Sequence, residues 1–89
     1  MSYQTEETVL TEEILVDQYD LVIYNDDYNT FQHVIETLME VCKHDQLQAE
    51  QCTLLIHYKG KCGVKRGTAQ ELKPMCEAIL TRGISAKVE

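Results

Sequence analysis

Positive charge is scarce in this 89-residue chain: eight Lys and Arg stand against fifteen Asp and Glu, leaving a formal charge of −7. Sequence-independent nucleic-acid binding works by neutralising phosphates with cations, so that class of function is disfavoured. An anionic membrane surface is disfavoured for the same reason. No apolar stretch approaches the ~20 residues needed to span a bilayer, and the start, MSYQTEETVL, has neither a basic nor an apolar leader region. A cytoplasmic location is the expectation. The four cysteines, Cys42, Cys52, Cys62 and Cys76, form no C-x-x-C pair. Without a secretory context they read as small buried hydrophobes rather than a disulfide framework, and no spacing recommends a metal site. No cofactor is expected. There is one proline, Pro74.

A chain this short makes one domain with a modest core and little room for a deep active site. A surface groove is the expected kind of site. Residues 1–17 are acidic (Glu6, Glu7, Glu12, Glu13, Asp17) with scattered Val9, Leu10, Ile14, Leu15 and Val16, and are expected to be a flexible tail, part of which could dock. Residues 18–89 are the expected domain. Residues 19–24 read as a strand. Asn29 and Gln32 have capping-box spacing, and Phe31, Val34, Ile35, Leu38 and Cys42 recur on one helical face. Asp45 with Gln48 starts a second helix whose expected apolar side is Leu47, Cys52, Leu55 and Ile56, ending at Gly60. KCGVKR reads as a strand with Cys62 and Val64 inward. Thr68 and Glu71 form another capping box ahead of Leu72, Met75, Cys76, Ile79 and Leu80. Pro74 lies too deep to be free if Thr68 is the cap: the helix either kinks there or begins its regular part at Pro74, and the second is favoured. Gly83 stops it, and ISAKV alternates as a last strand. The order β-α-α-β-α-β predicts an α+β domain, a three-stranded antiparallel sheet covered on one face by three helices.

Asn25-Asp26-Asp27 sits where the first strand hands over to a helix. The plain reading is a turn and cap. His33 and His44 read as solvated. The two following helices are joined by few residues and must form a hairpin. Phe31, Val34, Leu38, Thr53 and Ile56 then face one another, and the open end brings Asn25 and Asp26 towards His57. An apolar groove rimmed by amide, carboxylate and neutral imidazole suits an ammonium group with a large apolar side chain beside it. The free α-amino terminus of a peptide is such a ligand. An Asp–His acid–base enzyme is the weakest alternative, since no nucleophile or oxyanion donor is placed by the sequence.

IYNDDYNTFQHVIETLMEVC followed by AEQCTLLIHYKGKCGV resembles the ClpS family, adaptors of the ATP-dependent Clp protease. The combination of Tyr-Asn-Asp-Asp-Tyr before one helix with His-Tyr-x-Gly-Lys at the end of the next is what makes it specific. The resemblance implies a non-enzymatic adaptor that binds proteins with N-terminal Phe, Tyr, Trp or Leu (N-degrons). It would deliver them to a Clp-type AAA+ unfoldase (ClpA- or ClpC-like). It places the amine on Asn25, Asp26 (through water) and His57, and the side chain against Val34, Thr53 and Ile56, with Phe31 in the place of a gating Met. Departures from the family pattern are Thr53 where a Met is common, giving a smaller and more polar wall, and Asn29-Thr30 where Thr-Pro is usual. The segment from Lys61 to Thr68 is about two residues shorter. The runner-up is a diverged interaction protein that keeps the fold and an unfoldase contact without N-degron recognition.

Overall fold

The computed structural model describes residues 17–89. The expected tail, apart from Asp17, and any docking of Val9, Leu10, Ile14, Leu15 and Val16 lie outside the described residues. Six elements follow in the expected order: β1 (Tyr19–Tyr24), α1 (Phe31–Val41), α2 (Gln46–Lys59), β2 (Lys61–Gly67), α3 (Ala69–Thr81) and β3 (Ala86–Val88). The strands make one antiparallel sheet in the order β2-β1-β3. This is the α+β architecture expected. Leu21 and Ile23 of the central strand are fully buried, and they pack with Val64, Leu38, Leu72, Ile79 and Ile84 in one core. Alternation along β1 puts Leu21 and Ile23 on the same face. Each such side chain contributes ~1.5–3 kcal/mol when removed from water. Cys42 and Cys76 are buried in this core, while Cys52 and Cys62 are half-buried against it, all four as free thiols.

β2 is irregular in a way that the alternation of KCGVKR does not reveal. Leu21 pairs with Lys65 but Val22 pairs with Gly63, so Val64 is the extra residue of a β-bulge. His44, in the connection between α1 and α2, meets the bulge: its Nε2–H donates to the Val64 carbonyl at 2.8 Å. His44 is therefore buried, not solvated, and its other ring nitrogen has no partner among the described residues. His33 also departs from expectation. It is half-buried, and its Nε2–H donates to the Arg82 carbonyl at 2.9 Å, fastening α1 to the end of α3.

The caps explain where the helices start. Thr30, not Asn29, caps α1: its hydroxyl accepts from the His33 N–H at 3.1 Å. Asn29 is turned the other way and donates, and Gln32 bonds Glu36 within the helix instead of reaching back. Asp45 caps α2 through the Gln48 N–H, and Gly60 ends it in the left-handed region at φ 89°, which a glycine adopts without strain. The buried side of α2 is Ala49, Thr53 and Ile56. Leu47 and Leu55 point to solvent and Cys52 is half-buried, against the expected side. Apolar residues occur all round this helix, so their period does not select a face. The small side chains do, because Ala49 and Thr53 let the neighbouring helix approach closely.

α3 begins at the Thr68–Glu71 capping box, with both reciprocal bonds formed. Its regular part therefore does not wait for Pro74, which lies inside the helix. Both Pro74 and Gln70, whose carbonyl loses its helical partner there, are exposed, so water can serve that carbonyl. Leu72, Cys76 and Ile79 are buried, but Leu80 is exposed. The helix closes on Gly83 at φ 82°, whose N–H bonds the Leu80 carbonyl while the Ile84 N–H bonds that of Ile79. This Schellman pair swings Ile84 under the helix and into the core.

Candidate functional site

The turn after β1 is built around Asp26. Its Oδ1 accepts from the backbone N–H of Tyr28 and of Asn29, each at 3.0 Å, and the Asn29 Nδ2 group lies 3.0 and 2.8 Å from the two carboxylate oxygens. Partial burial pushes the Asp26 carboxyl up, but the bonds from Asn29, Tyr28 and Ser85 outweigh it and hold the group below its ordinary value. The carboxylate is thus charged and largely spent on the turn. Asn29 Nδ2 also donates to the Gly83 carbonyl at 2.9 Å, pinning the turn to the corner between α3 and β3. Asn25 is held from the other side. Its N–H donates to the Gly60 carbonyl at 2.8 Å, so the end of α2 and the end of β1 are joined.

That joint makes the site, because His57 stands one turn before Gly60. The open end of the α1–α2 hairpin holds a cleft of about 210 Å³ lined by Asn25, Asp26, Asp27, Phe31, Val34, Thr53, Ile56 and His57, with Ile23, Tyr24, Asn29 and Ile84 completing it. Drug-sized pockets run from ~300 Å³ upwards, so this one suits a single large side chain. Val34, Thr53 and Ile56 are buried and form the floor, while Asn25 and His57 are exposed at the mouth. Phe31 is 44% exposed, and its ring meets that of His57 edge-on with centroids 5.1 Å apart. Leu38 does not reach the cleft: it is fully buried a turn further along α1, in the core beneath.

Two features of the lining were not anticipated from the sequence. Thr53 is less polar in effect than its identity implies, since its hydroxyl donates to the Ala49 carbonyl at 2.7 Å and turns its hydrogen away from the cleft. Ile84 and Ile23 add apolar wall from β1 and the α3–β3 corner. The signal for Ile84 was Gly83, whose left-handed turn decides where the next side chain goes. Chemically, the arrangement can hold an apolar group below and a cation above. Asn25 Oδ1 and a neutral His57 nitrogen are acceptors for ammonium hydrogens, with the Asp26 and Asp27 charges close by.

The family of the ATP-dependent Clp protease adaptor protein ClpS matches residues 16–87 of this chain. Among curated relatives, the ATP-dependent Clp protease adapter protein ClpS of Shewanella halifaxensis is 41% identical over 63 residues, which is 68% of this chain and 62% of that protein. The Escherichia coli O1:K1 adapter of the same name is 37% identical over 57 residues, covering 62% of this chain and 54% of that protein. The matches therefore take in less than two thirds of these relatives' own length. Among solved structures, Agrobacterium tumefaciens ClpS2 bound to L-phenylalaninamide superposes with a TM-score of 0.72. It covers 83% of this chain and 96% of that one, at 18% identity, a likeness of fold. With the match running from the residue before the described part to within two residues of the C-terminus, the chain belongs to the ClpS family of Clp protease adaptor proteins.

Proposed function

We propose that this protein is a non-enzymatic adaptor that binds the free α-amino group and large hydrophobic first side chain of N-degron substrates. It hands them to a Clp-type AAA+ unfoldase of the ClpA or ClpC kind in the cytoplasm. The observation that carries the reading is the juxtaposition of Asn25, Asp26 and His57 over an apolar cleft the size of one side chain. Asn25 Oδ1 and the unprotonated nitrogen of His57 accept two ammonium hydrogens. The third points to Asp26 through a water, since that carboxylate is already engaged by the turn. Val34, Thr53 and Ile56 take the side chain, and Phe31 narrows the entrance against β-branched residues. The ClpS2 structure carrying phenylalaninamide, an amine beside one aromatic side chain, supports this ligand class. Burying a Phe or Leu side chain is worth ~1.5–3 kcal/mol, and each charge-assisted bond ~1.5–3. Less the ordering cost, these give affinities in the micromolar range.

The test is a titration of labelled peptides beginning with Phe, Leu, Val or Glu, with the Phe peptide repeated after acetylation of its amine. Phe and Leu peptides bind, and Val, Glu and acetylated Phe do not. Equal binding of the acetylated peptide sinks the reading. Asn25→Ala and His57→Ala each weaken the Phe peptide by about tenfold or more. Co-sedimentation with a Clp unfoldase checks the second half of the proposal, and its absence with peptide binding intact would point to another recipient.

A further inference from the structure

We propose that the binding site continues beyond the cleft, and that the exposed flank of α2 bearing Tyr58 and Leu54 receives the third side chain of the same peptide, preferring an apolar one. The inference rests on the amine-binding reading above. α2 buries Ala49, Thr53 and Ile56, yet Leu54 is 44% and Tyr58 78% exposed. Residues 54 and 58 are four apart and share one flank of the helix, which borders His57 at the mouth of the cleft. The rings form a row leading out of the site. Phe31 meets His57 at 5.1 Å, and His57 meets Tyr58 at 5.3 Å, both edge-on.

A peptide held by its amine at Asn25 and His57 has its first side chain in the cleft. In extended backbone the next side chain points the opposite way, away from the protein. The third returns to the first one's side, about 7 Å along. The Tyr58 ring lies 5.3 Å from that of His57, where the amine is held, and so falls within that reach. Recognition of alternate side chains is the usual outcome when an extended peptide lies on a surface. Among the described residues Tyr58 and Leu54 stay exposed, which leaves this apolar area open to a ligand.

Isothermal titration with phenylalaninamide and with Phe-Ala-Leu-amide, Phe-Ala-Gly-amide and Phe-Leu-Gly-amide tests this. The expected result is that Phe-Ala-Leu-amide binds about fivefold tighter than Phe-Ala-Gly-amide. Leu placed second gives a smaller gain. In Tyr58→Ser and Leu54→Ser the third-position preference falls towards one. Both side chains are exposed, so neither variant threatens the fold. Binding of phenylalaninamide with no preference at the third position overturns this inference alone, as does a preference that survives both substitutions. Failure of phenylalaninamide to bind overturns the amine-binding reading itself, and this one with it.

Discussion

Asp26 illustrates how one residue can look like a ligand and act first as a scaffold. Its carboxylate organises Tyr28 and Asn29 before any substrate arrives. Asp26→Ala removes the acceptor for two backbone N–H groups and is expected to cost about 1 kcal/mol at pH 7, the exposure of the turn keeping the figure low. Because the folded carboxyl is held below its ordinary 3.8, the unfolded state binds the proton more readily. The stabilisation is fully present above pH 3.8 and is lost as pH falls through the lower folded value. Thermal melts of wild type and variant should therefore converge under acid, and a gap that persists there would deny the carboxylate this role. At this scale the sequence was informative about Asn25, Asp26 and His57, since residue types and a helix hairpin suffice to bring them together. It was silent on depth. Leu38 shares a helical face with Val34 but lies beneath the cleft, because period reports direction and not distance from the surface. His33 and His44 were misread because their partners, the carbonyls of Arg82 and Val64, are remote in the chain.

Among the elements, strand β2 and helix α3 each carry a defect with a measurable consequence. The bulge at Val64 leaves a carbonyl outside the ladder, and His44 satisfies it from within the core. His44→Ala should cost about 1–3 kcal/mol. That lowers the melting temperature by several degrees in a domain of this size, and a neutral result would mean that the bulge carbonyl finds water. Pro74 sits inside α3 where a hydrogen bond to Gln70 is missing. Replacing it by Ala restores that bond and removes the ring's clash with the preceding turn, together worth about 3 kcal/mol in a helix interior, and gives up about 1 through the freer unfolded chain. Pro74→Ala is thus expected to raise stability by about 2 kcal/mol, read by urea denaturation. The Thr68–Glu71 and Asp45–Gln48 pairs and the terminal Gly60 and Gly83 were all legible, because caps are local chemistry. The bulge was not, since its cause is the pairing of β2 with β1. The outward turn of Leu47 and Leu55 was not either, since it depends on which face meets a neighbour.

For the molecule as a whole, the −7 charge acts in the same direction as Asp26 and Asp27 at the cleft mouth. A cationic amine is drawn towards an acidic surface, and salt screens that attraction over a Debye length of ~10 Å at 0.1 M. Raising salt from about 0.05 to 0.5 M should weaken a free-amine Phe peptide by about two- to threefold, mainly through slower association. No change would assign recognition to the short-range contacts alone. The order of elements and the sheet with its helical cover were readable because each element carries its own period and its own stop signals. The cleft's far wall was not, because Ile23 and Ile84 come from segments that only the completed fold brings beside α1 and α2.

One bond ties these scales together. The Asn25 amide donates to the Gly60 carbonyl, joining the strand that brings the turn to the helix that brings His57. The two acceptors proposed for an ammonium group therefore keep their spacing only while this joint is closed, and the amide proton of Asn25 records its state. Its exchange with deuterated solvent measures how often the site comes apart unliganded. A ligand that bridges both sides should slow that exchange more than it slows exchange in the core, giving a readout of occupancy that needs no label on the peptide.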